Sequence, residues 1–181
     1  MIDLKLIEQC RQGNIESFRK VIEASSPFAY SVAFKMLGDE DLAKDVVQET
    51  MITIWKKIGH IRTAQVYKTW LYRIVVNKCY DELRKARRRP EVLAAESTWV
   101  RLSDTISENG ADEFTDSELA VIISKLTERL SPRQKAVFVL SELEEMTSDE
   151  IAGITGMSKT SIKANLYHAR KSFREMLGKY L

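Results

Sequence analysis

TSDEIAGITGMSKTSIKANLYHARKSF, residues 147–173, is the stretch whose reading decides the fold. Thr147 and Glu150 are spaced as a capping box, so a helix is expected to start at Ser148 and to carry Ile151, Ala152 and Ile154 on its inner face. Gly156 can take the positive φ of a tight turn, and Ser158 offers the cap of a second helix with Ile162, Leu166, Ala169, Phe173 and Leu177 facing inward. A short helix, a glycine turn and a second helix form a helix-turn-helix unit. The outer face of the second helix presents Ser158, Lys159, Thr160, Ser161, Lys163, Asn165, His168, Arg170 and Lys171. These side chains suit base edges and phosphates in a major groove, and would equally serve a solvated face of a plain three-helix bundle.

Working back from this unit, Ser131–Pro132–Arg133–Gln134 is a second start signal, combining a serine cap, proline at the first helical position and glutamine at N3. Before it, Leu119, Ile122, Leu126 and Leu130 follow helical spacing. From Pro90 to about Thr115 the apolar period fails and Ser, Glu, Asp, Asn and Gly accumulate, so a flexible linker is expected, with Trp99, Val100 and Leu102 as a short apolar patch.

The N-terminal part reads as about four helices. Ile15, Phe18, Val21 and Ile22 form a first stripe that runs to Pro27, where a new helix is expected to start. Tyr30, Ala33, Phe34 and Leu37 form a second, ending at Gly38. Asp39 caps a third with Val47, Met51, Ile54 and Ile58 inward and Trp55 beside them. Trp70, Leu71, Ile74, Val75, Cys79 and Leu83 mark a fourth, closed by Arg84, Lys85, Arg87, Arg88 and Arg89 and stopped by Pro90. Nothing alternates with strand period. The expected fold class is all-α: an N-terminal bundle over 1–90, a flexible acidic linker over 91–117 and a C-terminal helix-turn-helix domain over 118–181.

The composition agrees. Of 181 residues 44% are hydrophobic and 30% charged, with only 7 Gly and 3 Pro, as in a helical globular protein. The longest wholly apolar runs, Leu119–Ile123 and Ala136–Leu140, are far short of the roughly 18 residues that span a bilayer, so no membrane segment is expected. Residues 1–25 lack a secretory signal's apolar stretch, which points to a cytoplasmic chain. Cys10 and Cys79 have no partner spacing and read as two buried reduced thiols. The net charge of +2 is a cancellation: residues 1–89 hold 17 Lys and Arg against 11 Asp and Glu, 90–123 hold 1 against 8, and 124–181 hold 10 against 7. Two basic blocks around an acidic connector fit two anion-binding units on a tether.

In the N-terminal block, Tyr67, Lys68, Trp70, Tyr72 and Arg73 interleave aromatics with cations, as a groove for unpaired bases requires. Trp70, one turn before Ile74, is expected to pack in the core, whereas Tyr67, Lys68 and Arg84 are expected to face a ligand.

Together these blocks resemble the extracytoplasmic-function group of bacterial sigma factors in the sigma-70 family. The first part of the resemblance lies in Gly38–Asp39, Leu42–Ala43–Lys44–Asp45–Val46–Val47–Gln48–Glu49–Thr50, Trp55, Thr69–Trp70–Leu71–Tyr72–Arg73–Ile74, Asn77, Asp81 and Leu83–Arg84. The second lies in Leu130–Ser131–Pro132–Arg133–Gln134, Thr147, Glu150–Ile151–Ala152, Gly156–Met157–Ser158, Ile162–Lys163, Leu166 and His168–Ala169–Arg170. It covers about residues 8–89 and 118–178.

The resemblance implies a set of roles. Residues 1–90 would act as sigma domain 2, with Asp45, Gln48, Glu49 and Ile52 docking on the clamp helices of the RNA polymerase β′ subunit. Tyr67, Lys68, Arg73, Asn77, Lys78, Asp81, Arg84, Lys85, Arg87 and Arg88 would bind the −10 element and help open it, an extruded base entering a pocket near residues 60–68. Residues 118–181 would act as sigma domain 4, meeting the β flap and reading the −35 element with the outer face from Ser158. An anti-sigma factor is the further partner implied. Thr160 and Asn165 stand where such factors often carry Gly and Arg, so no promoter sequence carries over; Asn165 is a candidate for adenine.

A LuxR-type helix-turn-helix activator or repressor without polymerase contact is the alternative, since Ser131–Pro132–Arg133–Gln134 before a helix-turn-helix resembles that class too. Its usual upstream receiver would bring strands that this N-terminal half lacks. No catalytic residue, metal site, cofactor or small-molecule substrate is indicated: His60 and His168 lie in different blocks, no phosphate loop occurs, and Lys44 stands where a calcium loop at Asp39 would need Gly.

Overall fold

A computed structural model of the chain describes residues 2–61, 63–88 and 116–178. Its helices are α1 (Leu4–Arg11), α2 (Ile15–Leu37), α3 (Glu40–Lys57), a 3-10 turn (Ile58–His60), α4 (Ala64–Arg88), α5 (Asp116–Leu126), α6 (Pro132–Phe138) continuing into a π turn (Val139–Leu143), α7 (Ser148–Thr155) and α8 (Lys159–Leu177). The described residues contain no strand, and the all-α expectation holds. No helix among them is long and apolar enough to cross a membrane.

The helix limits follow local signals. Asn14, Asp39, Ser131, Thr147 and Ser158 each accept a bond from the backbone N–H three residues on, and Ser131–Gln134 and Thr147–Glu150 close complete capping boxes. Gly38 and Gly156 end α2 and α7 in the left-handed region at φ 68° and 73°. One expectation fails: α2 does not break at Pro27 but runs through it. Proline deprives the Glu23 carbonyl of its usual donor, but Pro27 and Glu23 both lie on the exposed face, where solvent can supply one. The first two expected helices are thus one, and the bundle is completed by α1, whose Ile7 and Cys10 are buried. Downstream, α5 starts at Asp116 and ends at Leu126, so Leu130 packs from the following turn against Phe138 and Ala169. The expected apolar patch at Trp99, Val100 and Leu102 lies outside the described residues.

The core is continuous across the expected boundary. Val21, Val32 and Met36 of α2, Ile54 of α3, and Leu71, Val75 and Val76 of α4 share one buried cluster with Ala136, Val137, Leu140, Ile151, Ile154 and Ile162. α4 packs on α6 and α7, and α2 packs on α5 and the π turn. A second, smaller cluster of Ile122, Leu126 and Met176 seats α5 on α8. Both cysteines are free and buried, and burial pushes the Cys79 thiol up to about 12.

Candidate nucleic-acid interface

The helix-turn-helix forms as read. Ser158 caps α8 and Ile162 fills the core beneath it, leaving Ser158, Lys159, Thr160, Lys163, His168, Arg170 and Lys171 exposed along one side. Several of the expected readers already have partners within the chain, Lys171 with Glu175 at 4.0 Å among them. Lys159 Nζ pairs with Asp149 at 2.7 Å across the turn. Arg170 donates from Nε (3.2 Å) and Nη2 (2.8 Å) to the two carboxylate oxygens of Glu142, which ties α8 to the π turn. The half-buried Asn165 amide donates to the Ser161 carbonyl (2.8 Å) and hydroxyl (3.3 Å), so its donor end is turned along its own helix. Reading adenine would require that amide to swing out. Tyr167, 63% exposed, and the exposed Ala164 lie among the expected readers and escaped the sequence reading, which weighed charge and hydrogen bonding; a thymine methyl is met by apolar surface.

The Arg170 fork holds the Glu142 carboxyl below its ordinary value of 4.5. A carboxyl lowered on folding stabilises the native state above that value, and the contribution is lost as pH falls through the lowered one. Replacing Arg170 with Ala should therefore move the Glu142 carboxyl titration, followed by carbon NMR, back up toward 4.5. An unmoved titration would show that the fork does not persist in solution.

On α4, Arg73, Asn77, Asp81 and Arg84 step by four, four and three residues along an exposed stripe, with Lys68 and Lys85 also exposed. Tyr67 is a correction: it is 3% exposed, its hydroxyl 2.8 Å from Ser25 Oγ and its ring 6.1 Å from Trp70, so it belongs to the core and faces no ligand. Lys68 Nζ lies 5.9 Å from the centre of the Tyr72 ring. The side chains of Arg87 and Arg88 lie outside the described residues.

On α3, Asp45, Gln48, Glu49 and Ile52 are all exposed on one face. Asp45, Gln48 and Glu49 line an open polar groove of about 410 Å³ shared with Glu82 and Lys85 of α4. Lys78 of α4 bonds Glu49 at 2.6 Å and holds its carboxyl below the ordinary value, so one expected polymerase contact and one expected −10 contact neutralise each other here. Beyond the groove, Ile52 and Trp55 are each 48% exposed, with Trp55 edge-on to Phe18 at 4.5 Å between ring centres. Two large apolar side chains left half in water beside charged neighbours are the usual anatomy of a docking face.

An exposed helix-turn-helix reader, a basic helical stripe and an apolar docking face on one all-helical chain define a DNA-binding protein that also engages a protein surface. The sigma-70 region 2 family matches residues 21–89 and the sigma-70 region 4 family matches residues 120–173. The chain belongs to the sigma-70 family, in its extracytoplasmic-function group. It is 25% identical to the ECF RNA polymerase sigma factor SigW of Bacillus subtilis, with 98% of this chain and 97% of that one covered. It is 28% identical to the ECF RNA polymerase sigma-E factor of Haemophilus influenzae, covering 94% and 93%. Among solved structures, CnrH in complex with the cytosolic domain of CnrY shares its fold at TM-score 0.68 and 21% identity, covering 98% of this chain and 97% of that one. The sigma factor RpoE of Bartonella quintana, in complex with the anti-sigma factor NepR, does so at TM-score 0.63 and 21% identity, covering 91% and 98%.

Proposed function

We propose that the chain is an alternative sigma factor that carries core RNA polymerase to promoters in the cytoplasm and acts by binding alone. The observation that carries this reading over a polymerase-free activator or repressor is the α3 face. A simple DNA-binding regulator has no use for Ile52 and Trp55 half exposed beside Asp45, Gln48 and Glu49, whereas a paired-helix partner such as the β′ clamp would cover them. Residues 1–90 and 118–181 serve as the two promoter-facing units joined by 91–117, and the second unit also meets the β flap. On the first, Lys68, Arg73, Asn77, Lys78, Asp81, Arg84 and Lys85 line the −10 contact, and extruding a base there costs a few kcal/mol that basic contacts offset. On the second, Ser158, Lys159, Thr160, Ser161, Lys163, Asn165, His168, Arg170 and Lys171 read the −35 duplex, joined by Ala164 and Tyr167. Glu142 and Asp149 then give way to phosphates as partners of Arg170 and Lys159. An anti-sigma factor is the expected regulator, the kind of partner with which the RpoE neighbour of the same fold was solved.

The test is co-purification with core polymerase followed by start-site mapping. Wild type should bind the core and redirect initiation to new sites. Replacing Ile52 with Glu should weaken core binding by about 30-fold, the scale of a central interface residue, without changing duplex binding by the full chain. Replacing Lys163 with Ala should lower the log–log salt slope of duplex binding by about one. DNA binding with no trace of polymerase association would favour the LuxR-type reading.

A further inference from the structure

We propose that Glu142 and Asp149 are specificity-determining residues that hold Arg170 and Lys159 in reserve, so that only a duplex already docked by base contacts draws these two cations onto its phosphates. The proposal rests on the reading of α8 as the duplex reader and adds a role for two acids that lie outside that helix.

Lys159 is the first residue of α8, and Arg170 follows three turns later, about 16 Å along the axis. A major groove is about 12 Å wide, so a helix of that span brings its two ends against opposite phosphate walls. Between them, the Lys163 ammonium has no partner among the described residues. Both end cations are engaged instead, and by acids of other elements. Asp149, in the first turn of α7, lies 2.7 Å from Lys159 Nζ. Glu142, in the π turn, takes Arg170 Nε at 3.2 Å and Nη2 at 2.8 Å on its two oxygens. Glu142 is itself held in place. It follows Val139 and Leu140, both fully buried, its Oε1 also accepts from Ser141 Oγ at 2.9 Å, and its side chain is 29% exposed. Its carboxyl stays ionised below the ordinary value because the Arg170 fork favours the charged form.

The consequence for binding is an exchange of partners. A phosphate that meets α8 must replace a carboxylate that already gives Arg170 two charge-assisted bonds and Lys159 one. A non-specific complex is held by backbone charge alone and leaves its phosphates at no fixed place, so such a phosphate offers the cation little that the acid does not. There the two end cations stay with Glu142 and Asp149, and Lys163 carries the contact. On the specific site, base contacts by α8 fix the phosphates against both of its ends, and the exchange gains bonds with little further loss of motion. The same face thus uses fewer cations on random duplex than on its own site, which widens the gap between the two affinities.

The experiment titrates the full chain against two duplexes by fluorescence anisotropy over a salt series. One duplex carries the upstream element of a promoter located by start-site mapping, and the other carries the same element scrambled. The wild-type log–log salt slope should be steeper on the mapped element by about two. Glu142→Gln should steepen the slope on the scrambled duplex by about one and raise affinity for it about fivefold near 0.1 M salt, while affinity for the mapped element changes less than about twofold. Asp149→Asn should act in the same direction through Lys159, and the double variant should show both effects. Glu175→Gln removes the same charge from α8 itself, where Lys171 is 4.0 Å away, and should raise affinity for the scrambled duplex by less than about twofold. Unchanged slopes in both single variants, equal gains on the two duplexes, or a gain in Glu175→Gln as large as in Glu142→Gln would each overturn the proposal. If mapping finds no redirected initiation, the sigma reading fails. The slopes on the scrambled duplex then still decide whether Glu142 and Asp149 withhold the two cations.

Discussion

Replacing Leu140 with Ala should lower stability by about 3 kcal/mol and unfold the chain in one transition, roughly 10 °C below wild type. Leu140 is fully buried in the π turn, in the cluster that includes Val21, Val32 and Met36 of α2 and Val75 of α4. Truncating it removes apolar contacts and leaves a cavity whose walls come from both halves of the sequence, since the π turn packs on α2 as well as on α6. Two independent domains on a tether would give a different calorimetric trace: two transitions, of which only the C-terminal one shifts. Observing that second pattern would show that the halves do not share a core in solution.

Replacing Gly38 with Ala should cost about 2–4 kcal/mol, from two sources that a second substitution separates. Gly38 ends α2 at φ 68°, and an L side chain there is strained by about 1 kcal/mol. The added Cβ would also clash with the Cβ and the hydroxyl of Ser124, so α5 must move off the end of α2. That movement breaks the bond from Ser124 Oγ to the Leu37 carbonyl (3.1 Å) and disturbs Lys135, whose Nζ bonds Ser124 Oγ at 3.1 Å. With Ser124→Gly in the same chain the clash disappears, because the nearest remaining atom is the α-carbon of residue 124 at 3.7 Å. Urea unfolding of the two single variants and the double should thus give a double variant more stable than the sum of the single effects by about 1 kcal/mol or more. Strict additivity would mean that α5 does not rest on Gly38.

Both expectations bear on how much of this protein could be read from its residues. The helix limits at Gly38, Ser131, Thr147, Gly156 and Ser158 were legible because each rests on a bond or a φ value within four residues of itself. The exposed character of Lys163 or Asp45 was legible for the same reason, since its side of the helix follows from the positions of the apolar neighbours. Pro27 was misread because whether a proline breaks a helix depends on what else can satisfy the freed carbonyl, here on an exposed face. Tyr67 was misread because an aromatic among cations has the same local signature in a stacking groove as in a core that needs one hydroxyl partner. That partner, Ser25, lies 42 residues away.

The pairing of Arg73 with Gly153, of Glu144 with Lys35 and of Glu49 with Lys78 had no signal in the sequence. Arg73, Lys35, Glu49 and Lys78 each read as a solvated charge on a helix, and nothing local tells a solvated charge from one that meets a distant chain segment. The sequence by itself therefore determined the all-helical class, the helix-turn-helix and, through the joint order of its motifs, the sigma family. These depend on short-range periodicity, capping and side-chain type. Only the tertiary structure decided that the two halves share a core and that α7 rests against Thr69 and Arg73 of α4. Which surfaces meet is set by the burial of Leu71, Val75, Leu140 and Ile151 against one another, over separations at which the chain carries no pattern.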